Sequence, residues 1–278
     1  MEKLPGSRSH FARLVLAVHE RGSRDSLGVL ASSLTYTAFL SLFPLVLLGL
    51  SVLGFVLAGN PTLKADWVTR FTGSIPGLSS IIGRNVQAIV DGRVGTGIVG
   101  LLGAAWAASS LTGASEHALS TIFRAPRAGL VRRRLRALGL MAGLSILAAA
   151  SILITGFVTA WGGGGATGGL LRVLGVVAGA AVDLGFFLVA YRTLTPAGGP
   201  PLHAHLPGAI LMAFGWTLLK LAGSWYVVRV VARATALYGT VGAVFGLLAI
   251  LSVAVRLFLH GAELSAVVLE RRSATEDS

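Results

Sequence analysis

The sequence predicts an all-α protein, a polytopic membrane helix bundle of about six spans, from three observations. Of 278 residues, 54% are apolar and only 12% charged, against roughly 25% charged in an average soluble domain. Apolar runs long enough to cross a bilayer, about 20 residues each, recur at Leu27–Ala58, Thr96–Leu119, Leu135–Trp161, Leu170–Leu194, Leu206–Ala232 and Tyr238–Val268. Lys and Arg also sort unevenly onto alternate sides of these runs, as they do in multi-pass proteins. An ordinary soluble protein is excluded. The absence of cysteine excludes disulfide frameworks, thiolate catalysis, iron–sulfur clusters and thiolate zinc sites. The net charge of +12 would suggest nucleic acid in a soluble chain, but here it reflects cationic cytoplasmic loops.

In chain order, residues 1–26 form a cytoplasmic amphipathic segment, in which Phe11, Leu14, Val15 and Val18 make an apolar stripe beside Arg13 and Arg21. Such a helix lies on the membrane surface, held by anionic lipid. Its first 24 residues have cations but no apolar core, so no cleavable signal peptide is expected. Residues 27–270 are the membrane domain. Within it, 59–95 reads as an outer interfacial hairpin, with Leu63, Trp67, Val68 and Phe71 on one arm. After the Pro76-Gly77 break, Ile81, Ile82, Val86, Ile89 and Val90 make the other. Residues 271–278 are a cytoplasmic tail. The N-terminal segment, the Arg124–Arg136 loop, Arg192, Arg271 and Arg272 carry twice the Lys and Arg of the opposite side, which puts both termini in the cytoplasm.

No motif calls for a catalytic residue, a metal or a cofactor. Gly95-Thr96-Gly97-Ile98-Val99-Gly100 fits G-x-G-x-x-G but follows no strand and opens no βαβ unit, so its glycines read as helix-packing positions. His203 and His205 lie in a Pro-rich connection without a third ligand and read as a solvated loop. Pro44, deep in the first span, predicts a kink near Leu40–Pro44. The same span carries Ser32, Ser33, Thr35, Tyr36, Thr37 and Ser41, a polar face expected to meet protein or water rather than to bond back to its own helix. Asp183 and Lys220 are almost central in the fourth and fifth spans, and Arg256 is a few residues past the middle of the sixth. Charges at that depth cost about 2.5–3.5 kcal/mol each, so they are expected to face inward and pair. Gly242, Gly246, Ala249, Val253, Arg256, His260 and Glu263 recur at helical spacing, which predicts one inward glycine and polar face. Asp183, Lys220, Arg256, His260 and Glu263 are thus the candidate pathway or core ion pair, and Tyr36, Ser41 and Pro44 the candidate kink and polar face of the first span.

Several segments together resemble the YihY/BrkB family, whose members carry a legacy "ribonuclease BN" label. They are Ala31-Ser-Ser-Leu-Thr-Tyr-Thr-Ala-Phe-Leu-Ser-Leu-Phe-Pro44, Tyr191-Arg-Thr-Leu-Thr-Pro196, Pro207-Gly208-Ala209 with Trp216, and Ser224-Trp225-Tyr226. Tyr238-Gly-Thr-Val-Gly-Ala243 and Gly261-Ala262-Glu263-Leu264 complete the set. Ser120 departs from the family's asparagine and Ala249 from its tryptophan. The resemblance implies a six-helix inner-membrane protein of bacteria with a role in transport or envelope function. Ribonuclease activity does not follow: no metal-ligand cluster is visible and the basic loop lacks interleaved aromatics for stacking bases. The expected function is movement of a small, anionic solute, an ion or a lipid. The alternative is a non-transporting scaffold or envelope-assembly protein. Membrane lipids and a small solute are the expected partners, nucleic acid is not, and a homo-oligomer is compatible with the spans.

Overall fold

A computed structural model describes residues 8–59, 78–125, 135, 139, 143, 166–195, 200–226 and 232–276. Among them the regular structure is helical: α1 (Arg8–Arg24), α2 (Leu27–Ala58), α3 (Leu78–Ile122), α4 (Ala166–Leu194), a 3-10 turn (Leu202–His205), α5 (Leu206–Tyr226) and α6 (Ala232–Glu276). Among the described residues five stretches are long and apolar enough to cross a membrane: Leu27–Val56, Asp91–Ile122, Val177–Leu194, Leu202–Lys220 and Val244–Arg272. The expected third span, Leu135–Trp161, lies outside the described residues apart from three isolated positions, and so does the first hairpin arm, Leu63–Phe71. The second arm is not a separate helix. α3 runs unbroken for 45 residues from Leu78 to Ile122, through Gly92 and Gly95, so that arm is the N-terminal extension of the second span.

The chain divides into two compact units, one of residues 37–111 and one of residues 1–36 with 112–278. In the smaller unit, α2 and α3 run antiparallel at close range. Gly97, Gly100 and Gly103 of α3 face Ser51, Leu48 and Pro44 of α2 in reverse order. A methyl built on Gly100 would stand 2.7 Å from the Leu48 amide nitrogen, and one on Gly103 2.8 Å from the Pro44 ring. Only glycine permits that approach, because backbone cannot yield as a side-chain tip can. The Ser51 hydroxyl donates to the Arg93 carbonyl at 2.7 Å, and the Arg93 guanidinium lies over the Phe55 ring, 5.6 Å from its centroid. α2 passes through Pro44 as one helix.

The larger unit is organised around α6. Val255, Leu259, Ala262 and Ala266 form a buried stripe at intervals of three and four, the spacing of one helical face. α5 packs against α6 and α4 against α5; Ala209, Met212 and Ala213 of α5 and Phe187, Ala190, Tyr191 and Leu194 of α4 are buried, and Tyr191 reaches α6 at Phe258. α3 ends in this unit at Ile122, and, two residues on, Arg124 has a φ of 53°, in the left-handed region. Around it, the Ala125 amide reaches the Ser120 carbonyl at 3.1 Å and the Arg124 amide the Thr121 carbonyl at 3.4 Å. This pair of bonds satisfies helix-end carbonyls that otherwise have no partner.

Candidate functional site

The centre of the larger unit is a helix crossing. α5 begins Leu206-Pro207-Gly208, with the proline in the first turn, where its missing N–H leaves no intrahelical bond unmade. Gly208 then meets Gly261 of α6 backbone to backbone, with no room for a methyl group at either position. The Gly208 amide donates to the Ser265 hydroxyl at 3.0 Å. The fully buried Tyr191 of α4 donates its hydroxyl to the Phe258 carbonyl at 2.6 Å and stacks on the Phe258 ring. Three of the segments that carry the family resemblance, around Tyr191, Pro207-Gly208-Ala209 and Gly261-Ala262-Glu263, therefore meet at one place as packing and hydrogen-bonding residues. His205 lies beside it. Its ring faces Phe123 edge-on and Tyr191 face-on, and it is fully buried. The reading of His203 and His205 as a solvated loop is thus corrected for His205. Its burial comes from aromatic neighbours on α4 and just past the end of α3, which the local Pro-rich composition does not reveal.

Two clusters of charge stand out among the described residues of this unit. Asp183 of α4, buried, pairs with Lys220 of α5 at 2.5 Å. The Lys220 side chain remains 47% exposed against 8% for Asp183, so the carboxylate is enclosed and the ammonium keeps open directions for other acceptors. The second cluster joins α1 to α6. Arg21 lies 3.0 Å from Glu263, 2.5 Å from Glu270 and 3.8 Å from Asp25. It also donates to the Ile122 carbonyl at 2.8 Å, a cation set against the carbonyl end of α3. Glu263 is completely buried and Arg21 is 11% exposed, while Glu270 is 61% exposed, so the network is enclosed at Glu263 and reaches the surface at Glu270. In front of Arg21 opens a cleft of about 560 Å³ lined by Ala17, Glu20, Arg24, Arg124, Glu270 and Arg271 among others.

Three expectations about site residues change. Arg256 and His260 do not join Asp183 and do not face inward: both are exposed, and the His260 ring bonds back to the Arg256 carbonyl at 2.7 Å. Val253 and Ala249, placed on the same inward face, are exposed too, while Gly246 and Glu263 are buried. The cause is that α1 covers the far end of α6 and buries Glu263 alone of that polar set. On α2, Ser32, Thr35 and Ser41 donate to the carbonyls of Gly28, Ala31 and Thr37, four residues back. These hydroxyls are satisfied by their own helix, the local alternative to a lining for a cavity. Tyr36 is 63% exposed. Arg21 was legible only as one cation of a surface stripe; its pairing with Glu263 and Glu270 joins residues more than 200 positions apart. Among the described residues no group of three His, Cys, Asp or Glu could hold a metal ion.

Residues 18–278 match a family model described as Virulence factor BrkB. Over 240 residues the chain is 28% identical to a UPF0761 membrane protein of Alkalilimnicola ehrlichii, a match covering 82% of this chain and 52% of that relative. Over 73 residues it is 37% identical to an uncharacterized protein of Dickeya dadantii, covering 26% of this chain and 22% of that one. The chain thus spans about half the length of the longer-matching relative and about a fifth of the other. No solved structure matches it. With nearly its whole length matched by the family model and its long apolar helices, the chain belongs to the BrkB family of multi-pass membrane proteins.

Proposed function

We propose that this protein is a permeation or transport protein of the bacterial inner membrane, acting on a small anionic solute, an ion or a lipid, with both termini in the cytoplasm. The observation that supports this reading is the Asp183–Lys220 pair between two apolar helices. A pair of apolar side chains would hold α4 to α5 at least as well, since ions in lipid carry a desolvation cost that mutual attraction only partly offsets. A half-exposed ammonium with its counter-ion enclosed can take up an anion without leaving a bare carboxylate in the bilayer. The reading involves no catalytic step and no cofactor.

The test is flux into proteoliposomes from a panel of labelled anions and short-chain phospholipids, comparing the native chain with Lys220→Met. Flux of at least one member that falls tenfold or more in Lys220→Met supports the reading; equal flux in both, or none with either, removes it. Orientation is tested separately on the cysteine-free background. An impermeant thiol reagent added to whole cells is expected to label Gly164→Cys and spare Gly129→Cys. The scaffold reading draws on a different observation, the hydroxyls of Ser32, Thr35 and Ser41 turned back onto their own helix, which takes these three from any polar lining. A protein without flux whose loss weakens the cell envelope would favour it.

A further inference from the structure

The cleft at the α1–α6 junction has no part in the transport reading and is far in sequence from Lys220. We propose that it is a binding site for a phosphate group, presented by the headgroup of an anionic lipid. Four guanidinium-bearing residues from three elements line it: Arg21 and Arg24 of α1, Arg124 just past the end of α3, and Arg271 of α6. The carboxylates are placed differently. Glu263 and Asp25 are 0% and 11% exposed beside Arg21, and Glu270, 61% exposed and lining the cleft, is held against it too. Together these three acids more than balance the charge of Arg21 and fix it as part of the wall. Glu20 is the other acid at the cleft. Arg271 donates to the Arg13 carbonyl, which ties the rim of α6 to α1.

Arg24 and Arg124 are both exposed, and among the described residues neither has an acidic partner. Arg124 is held in place by a left-handed backbone turn that its helix-end bonds fix. Planar guanidinium forks suit phosphate oxygens, each offering two parallel N–H donors. The volume of about 560 Å³ falls within the range of small-ligand clefts, about 300–1,000 Å³. One further residue favours a lipid over a free phosphate. Leu16, one helical turn before the cleft-lining Glu20 on α1, is 58% exposed, apolar surface beside a cationic one, as an acyl chain joined to a phosphate requires.

Native mass spectrometry of the full chain in a neutral detergent tests this, with phosphatidylglycerol, phosphatidylcholine and inorganic phosphate titrated separately. One phosphatidylglycerol per chain is expected. Its apparent affinity should fall at least tenfold in Arg24→Gln/Arg124→Gln and stay unchanged in Arg192→Gln, which removes a cation at the end of α4. Arg24→Lys/Arg124→Lys keeps the charge and loses the fork, so partial recovery also supports the site; thermal midpoints of all variants establish that they are folded. Saturable displacement of the lipid by millimolar inorganic phosphate supports the phosphate site and moves its source to a soluble compound. Binding of phosphatidylglycerol that is equal in the Gln double variant, or no binding to the native chain, overturns the proposal.

Discussion

Gly100 on Leu48 in the smaller unit and Gly208 on Gly261 in the larger are both places where two helices touch backbone to backbone, yet they are held differently. The first is flanked by apolar contact and one hydroxyl bond, from Ser51, less than one turn from Leu48 on α2, to Arg93, about two turns from Gly100 on α3. The second has hydrogen bonds at the crossing itself, Gly208 to Ser265 and Tyr191 to Phe258, and between Gly261 and Ser265 on α6 it has the buried Glu263, paired with Arg21. In lipid the hydrophobic effect does little to bring helices together, so close packing and polar contacts carry the association. A crossing held by packing tolerates sliding by a turn, because one small-residue step resembles the next. A crossing with paired donors and acceptors does not, since any slip leaves a buried polar group unmatched. The larger unit therefore has the more strongly specified register, and it is there that most of the segments resembling the family lie.

The largest effect that can test this contrast comes from Arg21. Arg21→Met leaves Glu263 fully buried beside two further carboxylates with no cation between them, a loss of about 3–5 kcal/mol for removing one partner of a buried pair. Thermal unfolding in detergent should show a much lowered midpoint, and Arg21→Met/Glu263→Leu should recover part of it. An unchanged midpoint in the single variant would mean that the network contributes nothing to the register of α1 on α6.

Next come the two glycines themselves. Gly208→Ala should cost more than Gly100→Ala, each about 1–3 kcal/mol for forcing a methyl into a filled contact. The difference arises because Gly208 also loses its alignment with Ser265. Equal losses would erase the distinction between the two crossings. Smaller again is Tyr191→Phe, which removes one bond to the Phe258 carbonyl while keeping the stacked ring. About 0.5–1.5 kcal/mol is expected, seen as a few degrees in the same unfolding measurement.

How much of this could be read in advance depends on the range of each cause. α2 begins and ends at Leu27 and Ala58, as its apolar run does, because an uninterrupted run in lipid has only its own helix to satisfy the backbone. The pairing of Asp183 with Lys220 was open to the same reasoning, since charges at depth require partners. The inward face of α6 was not. Arg256, His260 and Glu263 fall within about 60° around the helix, yet the first two are exposed and the third is buried. Periodicity gives a face but not which neighbour covers which length of it, and here α1 covers only the end. His205 was hidden for the same reason: its neighbours Phe123 and Tyr191 are remote in sequence.

The smallest effect carries an opposite sign and bears on the glycines of α3 as a set. Gly95 opens the G-x-G-x-x-G pattern whose second and third glycines, Gly97 and Gly100, lie against α2, but at Gly95 itself a methyl would meet nothing within 4 Å. Glycine inside a helix costs about 0.5–1 kcal/mol relative to alanine through backbone entropy. Gly95→Ala should therefore stabilise the protein by about that amount, while Gly97→Ala, 2.5 Å from the Ser51 hydroxyl oxygen, should not. A dinucleotide fingerprint would show the reverse ordering, because its first glycine makes the tight turn and is the least replaceable. Midpoints for the two variants measured side by side decide between the readings: a raised value for Gly95→Ala assigns the pattern to helix packing, and a lowered one would mean that Gly95 faces a neighbour after all.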